Sequence, residues 1–281
     1  VKVATLIEKF MQHCREHRRP NTIRSYAGRL KALGEQLGER ELASITYDDL
    51  EAFLRSVNHR KDGSPKANDT RRANIATVQT IFRYAKQRKL IAELPFEKLE
   101  KPRGRRRERI PTEEEIQAVE RHASPAFLLA YRALRQTGAR PGELAAAQVE
   151  QYDRARRLIV LREHKTAGAT GRPRKIGVGA KLAAILAAAI GERSTGAIFL
   201  AENGKPWTSQ KLSKTYKALA RRAGLPEDLV LYLTRHAHAT ELCLKAGIHA
   251  AAKALGHSSL NTTMRYVHED DDVLGKNQDL I

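Results

Sequence analysis

Val149-Glu150-Gln151-Tyr152, Leu158-Ile159-Val160-Leu161 and Lys175-Ile176-Gly177-Val178 are short strand-like runs in a chain whose remaining sequence carries helical patterning. Runs of about four residues rich in branched aliphatic side chains suit strands. Between the last two, Thr166 to Pro173 is rich in Gly, Ala, Thr and Pro, as a connection between paired strands would be. This pattern predicts a mainly α protein with one small antiparallel sheet in its second half.

Upstream, residues 1–100 read as a helical bundle. Ile23, Tyr26, Leu30, Leu33 and Leu37 alternate steps of three and four and so share one helix face, with Asn21 as the expected N-cap and Gly38 as the stop. Thr46 with Asp49 approximates a capping box ahead of Leu50, Phe53, Leu54 and Val57. After a polar loop from Asn58 to Asn68, Ile75, Val78, Phe82 and Ala85 face inward, which leaves Arg71, Arg72, Arg83, Lys86 and Arg88 available outward. Residues 101–110 form a basic linker containing Arg103, Arg105, Arg106, Arg107 and Arg109. It reads either as a solvated spacer or as a strap along a DNA backbone between two domains, where each neutralised phosphate adds salt-dependent affinity. The second domain, 111–281, opens at Pro111-Thr112-Glu113-Glu114-Glu115, where Thr112 and Glu115 form another capping box. Helical composition resumes at Ala180 and breaks between Ile198 and Thr208.

Charge is the compositional outlier. Among 281 residues, 51 Lys+Arg against 32 Asp+Glu leave +19, an excess that concentrates polyanions and makes nucleic acid the obvious partner. The longest strictly apolar run, Leu182 to Ile190, is nine residues, too short for a membrane span. Cys14 and Cys243 lie far apart at apolar helical positions, which suggests two buried thiols in a reduced, cytoplasmic protein. The sequence begins at Val1 with no signal-peptide pattern.

The residues able to carry chemistry fall in three segments. In Thr137-Gly138-Ala139-Arg140-Pro141-Gly142-Glu143, Gly138 ends one helix and Pro141 suits the first position of the next; Glu143, one turn on, can orient the Arg140 guanidinium. In Tyr232-Leu233-Thr234-Arg235-His236-Ala237-His238, Arg235 offers the planar donor fork that suits a phosphate. The His-X-His pair there has no third ligand at helical spacing, so no metal is expected. Leu255-Gly256-His257 is followed nine residues later by Tyr266, carried on an expected helix from Leu260. A histidine can donate to a phosphoryl oxygen, and a tyrosine can attack phosphorus.

Together these segments resemble the tyrosine recombinase (phage integrase) family, over nearly the whole chain. The resemblance implies a helical core-binding domain followed by a mixed α/β catalytic domain of the DNA breaking-rejoining type. It implies a site-specific recombinase in which Arg140, Arg235 and His257 hold the scissile phosphate and Tyr266 forms a 3′-phosphotyrosyl link. Strand exchange would then pass through a Holliday junction. Lys165, after the second strand-like run, resembles the general acid, with Lys175 as competitor. Tyr232 stands where the family usually has histidine, and at its ordinary pKa near 10 it is a poor base. His236 is expected to support the site; Arg71, Arg72, Arg103, Arg105, Arg106, Arg107, Arg174 and Lys175 are expected to contact DNA. No cofactor or ATP is expected. The expected partners are a double-stranded recombination site and, on two such sites, a homotetramer formed from free monomers, with no membrane involved. A type IB topoisomerase-like enzyme or a non-catalytic DNA-binding protein of the same fold are the alternatives. The acidic tail Glu269-Asp270-Asp271-Asp272, with Val273, Leu274, Leu280 and Ile281, reads as a frayed terminus or as a segment that docks on a neighbouring protomer.

Overall fold

The two largest apolar clusters lie one in each of two compact units, Val1–Arg107 and Glu108–Ile281. The computed structural model describes residues 1–104, 109–162, 171, 173–257, 259–264 and 266. Arg105, Arg106, Arg107, Lys165 and the tail from 267 lie outside the described residues.

The first unit is helical: α1 (Val3–His17), α2 (Pro20–Leu37), α3 (Tyr47–Asn58) and α4 (Asn68–Gln87). Each contributes an apolar stripe at helical spacing, such as Leu6, Phe10 and Cys14 from α1 and Ile75, Val78 and Phe82 from α4. The Thr46–Asp49 capping box forms as expected. The start of α2 differs from expectation. Arg19 is the N-cap and Asn21 lies inside the first turn, because Pro20 takes the first helical position, where its missing N–H costs nothing. Asn68 Nδ2 donates to the Arg103 carbonyl at 3.0 Å and Arg72 Nη1 to that of Pro102 at 2.7 Å, so the first linker residues are held against α4.

In the second unit the Thr112–Glu115 capping box starts α5 (Glu113–His122), which is followed by α6 (Pro125–Thr137) and the short α7 (Pro141–Ala146). The sheet has the order β1 (Tyr152–Asp153), β2 (Leu158–Leu161), β3 (Arg174–Gly177), antiparallel throughout, with Tyr152 opposite Ile159 and Ile159 opposite Ile176. The expected strand over 149–152 is instead a 3-10 turn, Val149–Gln151, leading into β1. The Gln151 side chain accepts from the Gln148 backbone N–H at 3.0 Å, and this local bond competes with strand pairing. Ile159, Leu161 and Ile176 pack with Phe127, Tyr131 and Leu134 of α6 and with Leu182, Leu186 and Ile190 of α8 (Ala180–Ile190). β3 begins one residue earlier than the sequence suggests, and its side chains alternate. Arg174 therefore joins Ile176 on the buried face while Lys175 faces outward.

The remaining helices are α9 (Ser209–Arg222), α10 (Leu233–Leu255) and α11 (Leu260–Met264). Cys14 is buried but Cys243, on α10, is only half-buried. Among the described residues no helix is long and apolar enough to cross a membrane.

α10 is not straight. Gly247 adopts φ 77° and ψ 166°, which breaks the helix into two arms. Arg235 and Leu255 lie on opposite arms; twenty residues of unbroken helix would separate them by about 30 Å. The break folds the second arm back until the Arg235 side chain reaches the Leu255 carbonyl. Gly247→Ala is therefore expected to lower the stability of the second unit by more than about 1 kcal/mol, since φ there is positive. Gly28, exposed within α2 with open space where a methyl group would stand, supplies the contrast. Gly28→Ala should stabilise by roughly 0.5–1 kcal/mol. Urea unfolding of the two variants checks the opposite signs.

Candidate active site

The site gathers around Arg235, which is 0% exposed. Its Nη1 donates to the Gly138 carbonyl at 2.6 Å; its Nη2 donates to the Leu255 carbonyl at 3.0 Å and to His257 Nε2 at 2.8 Å. One side chain thereby joins three segments: the turn after α6, the first arm of α10 and the turn after its second arm.

Each turn is shaped for this contact. Gly138 has φ +56°, and a Cβ there would lie 2.6 Å from the His238 ring and 2.9 Å from Leu255 Cδ2, so both conformation and space require glycine. Arg140, two residues on, is the N-cap of α7. Glu143 accepts from its backbone N–H at 3.0 Å and from its Nη1 at 2.5 Å, the orienting geometry the sequence suggests. Burial alone would raise the Glu143 pKa, but the Arg140 N–H and charge, with Arg174 beyond, bring it below the usual carboxylate range.

The donor and acceptor roles at His257 follow from its neighbour Arg235. A guanidinium only donates, so Nε2 accepts from Arg235; the ring proton then sits on Nδ1 and is given to Thr263 Oγ1 at 2.7 Å. In this arrangement the Nδ1 proton is directed to Thr263. Donation from Nε2 to a phosphoryl oxygen therefore requires a further proton there.

Tyr266 is 3% exposed and lies in the turn beyond α11, not on the helix as expected; its backbone N–H donates to the Thr263 carbonyl at 2.9 Å. Its ring stacks on His257, centroids 6.0 Å apart and planes 13° apart, and meets His236 edge-on at 5.2 Å. His236 in turn meets Tyr232 at 5.4 Å. Tyr232 is exposed. The structure thus brings Arg140, Glu143, Tyr232, Arg235, His236, His257 and Tyr266 together.

Arg174, expected to contact DNA, is instead 4% exposed on the buried face of β3. Burial, and then the guanidiniums of Arg235 and Arg140, bring its pKa down to about 10 against the pull of Glu143, so it stays charged at neutral pH. Three guanidiniums thus share the field of one carboxylate, an arrangement that favours an anion. Lys175 and Arg103 are exposed; Arg71 and Arg72 are only half-buried, and Arg72 is engaged with Pro102.

A family model described as "Phage integrase family" matches residues 112–272, and one described as "Phage integrase, N-terminal SAM-like domain" matches residues 7–89. The chain belongs to the phage integrase family. Tyrosine recombinase XerC of Roseiflexus castenholzii is 29% identical, over 93% of this chain and 88% of its own length. Among solved structures, a lambda integrase (75–356) dimer bound to a COC′ core site shares the fold of this integrase-family chain with a TM-score of 0.79 at 17% identity, covering 95% of each chain. A lambda integrase tetramer bound to a Holliday junction gives 0.76 at 17% identity, over 92% of this chain and 78% of that one.

Thr263 is absent from the sequence reading of this integrase-family site. Its spacing of six from His257 was available, but a buried threonine beside an apolar helix signals packing as readily as hydrogen bonding. Thr263→Val should release the Nδ1 proton from its fixed seat and shift the His257 tautomer population, whereas Thr263→Ser should preserve it. Ring 15N chemical shifts of His257 check this; identical spectra for Val and wild type would mean that Thr263 does not set the tautomer.

Proposed function

We propose that this chain is a site-specific DNA recombinase acting through a 3′-phosphotyrosyl intermediate. The observation that carries the reading is the convergence of Arg140, Arg235, His257 and Tyr266 on one cationic site, closed by a contact between residues 97 apart in the chain. The relatives that share its fold include integrases solved on core-site DNA and on a Holliday junction, which supports a DNA substrate and a tetramer on two sites.

In this reading Arg140, held by Glu143, presents its fork to the scissile phosphate, and the Arg235 charge beneath stabilises the pentacoordinate transition state. Tyr266 leaves its seat against His236 and His257, gives up its phenolic proton to water, and attacks phosphorus as the bond to the 5′-oxygen breaks. The 5′-oxygen departs with a proton from Lys165, for which Lys175, exposed on β3, remains the competitor. The phosphotyrosine conserves the bond energy, so the 5′-hydroxyl of a partner strand reverses the step without ATP. Tyr232 replaces the usual histidine as a hydrogen-bonding group, not as an efficient base. The first unit and the basic linker, including Arg103, Arg105, Arg106 and Arg107, supply sequence-independent phosphate contacts.

Tyr266→Phe should abolish covalent attachment to a nicked suicide substrate while DNA affinity stays essentially unchanged, because only the nucleophilic oxygen is lost. An adduct persisting in that variant would assign the chemistry to another tyrosine; plasmid relaxation without junction products would point to a topoisomerase.

Lys165→Ala should slow cleavage by about 10²–10⁴-fold on the normal substrate and recover when the leaving 5′-oxygen is replaced by sulfur, which needs no proton. Equal defects on both substrates would remove Lys165 from the acid role, and rescue of Lys175→Ala would transfer it.

A further inference from the structure

A buried arginine on a strand is uncommon unless its donors are matched. Arg174 Nη1 donates to the carbonyl of the next residue, Lys175, at 2.6 Å. Its Nε and Nη2 are buried and have no hydrogen-bond partner among the described residues, and Nε lies 3.9 Å from Glu143 Oε2. The guanidinium also lies against Gly256: a Cβ there would sit 2.6 Å from Arg174 Cδ and 2.8 Å from Nε. Gly256, at φ +66°, separates Leu255, whose carbonyl Arg235 holds, from His257.

Arg174 therefore touches both halves of the site. Through Glu143 it meets the segment that orients Arg140; through Gly256 it supports the turn that presents His257. With Arg140 and Glu143 alone the pair would be near neutral, whereas Arg174 and Arg235 leave the cluster two positive charges in excess. An unmatched buried cation costs stability, and an arriving anion offsets that cost.

We propose that Arg174 is a positioning residue for the recombination reaction: a buried counter-cation to Glu143 that holds the Arg140 and His257 segments together and sets the site's positive surplus for a phosphate. The proposal rests on the phosphate-binding reading of the site. It also explains why Gly256 is glycine, since any side chain there would collide with the Arg174 guanidinium.

A purely structural role and this one predict opposite signs. Arg174→Met fills the same space without unmatched donors, so it should leave the full-length chain as stable as wild type or more so. It should nonetheless weaken inorganic phosphate binding, followed by calorimetry, by about tenfold. On a suicide DNA substrate it should slow cleavage while changing DNA affinity little, and Arg174→Lys should recover much of both. A Met variant that binds phosphate like wild type overturns the proposal, as does one that loses stability with phosphate affinity intact. Wild-type protein supplies a measurement that needs no variant to fold: the Arg174 Nε–H resonance should shift on phosphate titration, and an unmoved resonance, or no phosphate binding at all, sinks the idea. Phosphate binding dependent on Arg174 without any DNA adduct in wild type would keep Arg174 as a residue that positions a phosphate site, but would remove the recombinase reading and with it the role in recombination. A wild-type adduct with an unaffected Met variant would do the reverse.

Discussion

The guanidinium of Arg235 is the point on which the second unit converges. It lies wholly out of water and donates to the carbonyls of Gly138 and Leu255 and to His257. Those two carbonyls close a helix and a broken helix arm, where backbone acceptors lack intrahelical partners. Without Arg235 each would be left unmatched, at roughly 1–3 kcal/mol apiece. The same side chain thus completes the fold and charges the site. Loss of activity on replacing it would mix the two effects, which is why the discriminating substitutions are placed at Tyr266, Lys165, Thr263 and Arg174.

Electrostatics gives this architecture its direction. Glu143 is the carboxylate against which Arg140 and Arg174 are set, with Arg235 in the same field. Low-dielectric surroundings magnify both the repulsion among the guanidiniums and their attraction for an anion. Charges held in place before substrate arrives need no reorganisation during the reaction, the usual source of the largest catalytic contribution. Tyr266 is seated in the same region, stacked on His257, whose Nδ1 faces Thr263.

Much of this was legible from residue patterns, for identifiable reasons. Capping boxes at Thr46 and Thr112 are local, so four residues suffice to read them. The Gly138–Pro141 junction is equally local, and it correctly placed Arg140 at the head of α7 with Glu143 as its partner. The strand-like runs at 158–161 and 175–178 announced a small sheet, though the pairing moved β3 to begin at Arg174. That extension matters because side chains alternate: within the strand, Arg174 stands two residues before Ile176 and shares its buried face, so an expected surface contact is a buried cation. At 149–152 a side-chain bond from Gln151 outcompeted the strand pattern.

What the sequence by itself determined is the inventory and its chemistry: a helical chain with one small sheet, a strong positive charge, and a spaced set of arginines, histidine and tyrosine that resembles an integrase. These are properties of composition, of local periodicity and of spacing along the chain. The tertiary structure alone decided which of those residues meet. The break at Gly247 brings Leu255 back to Arg235, the pleat of β3 turns Arg174 inward, and the turn at Gly256 leaves it room. Each depends on atoms brought together from distant parts of the chain, and no reading along the chain contains the direction in which a side chain points once the backbone has folded back on itself.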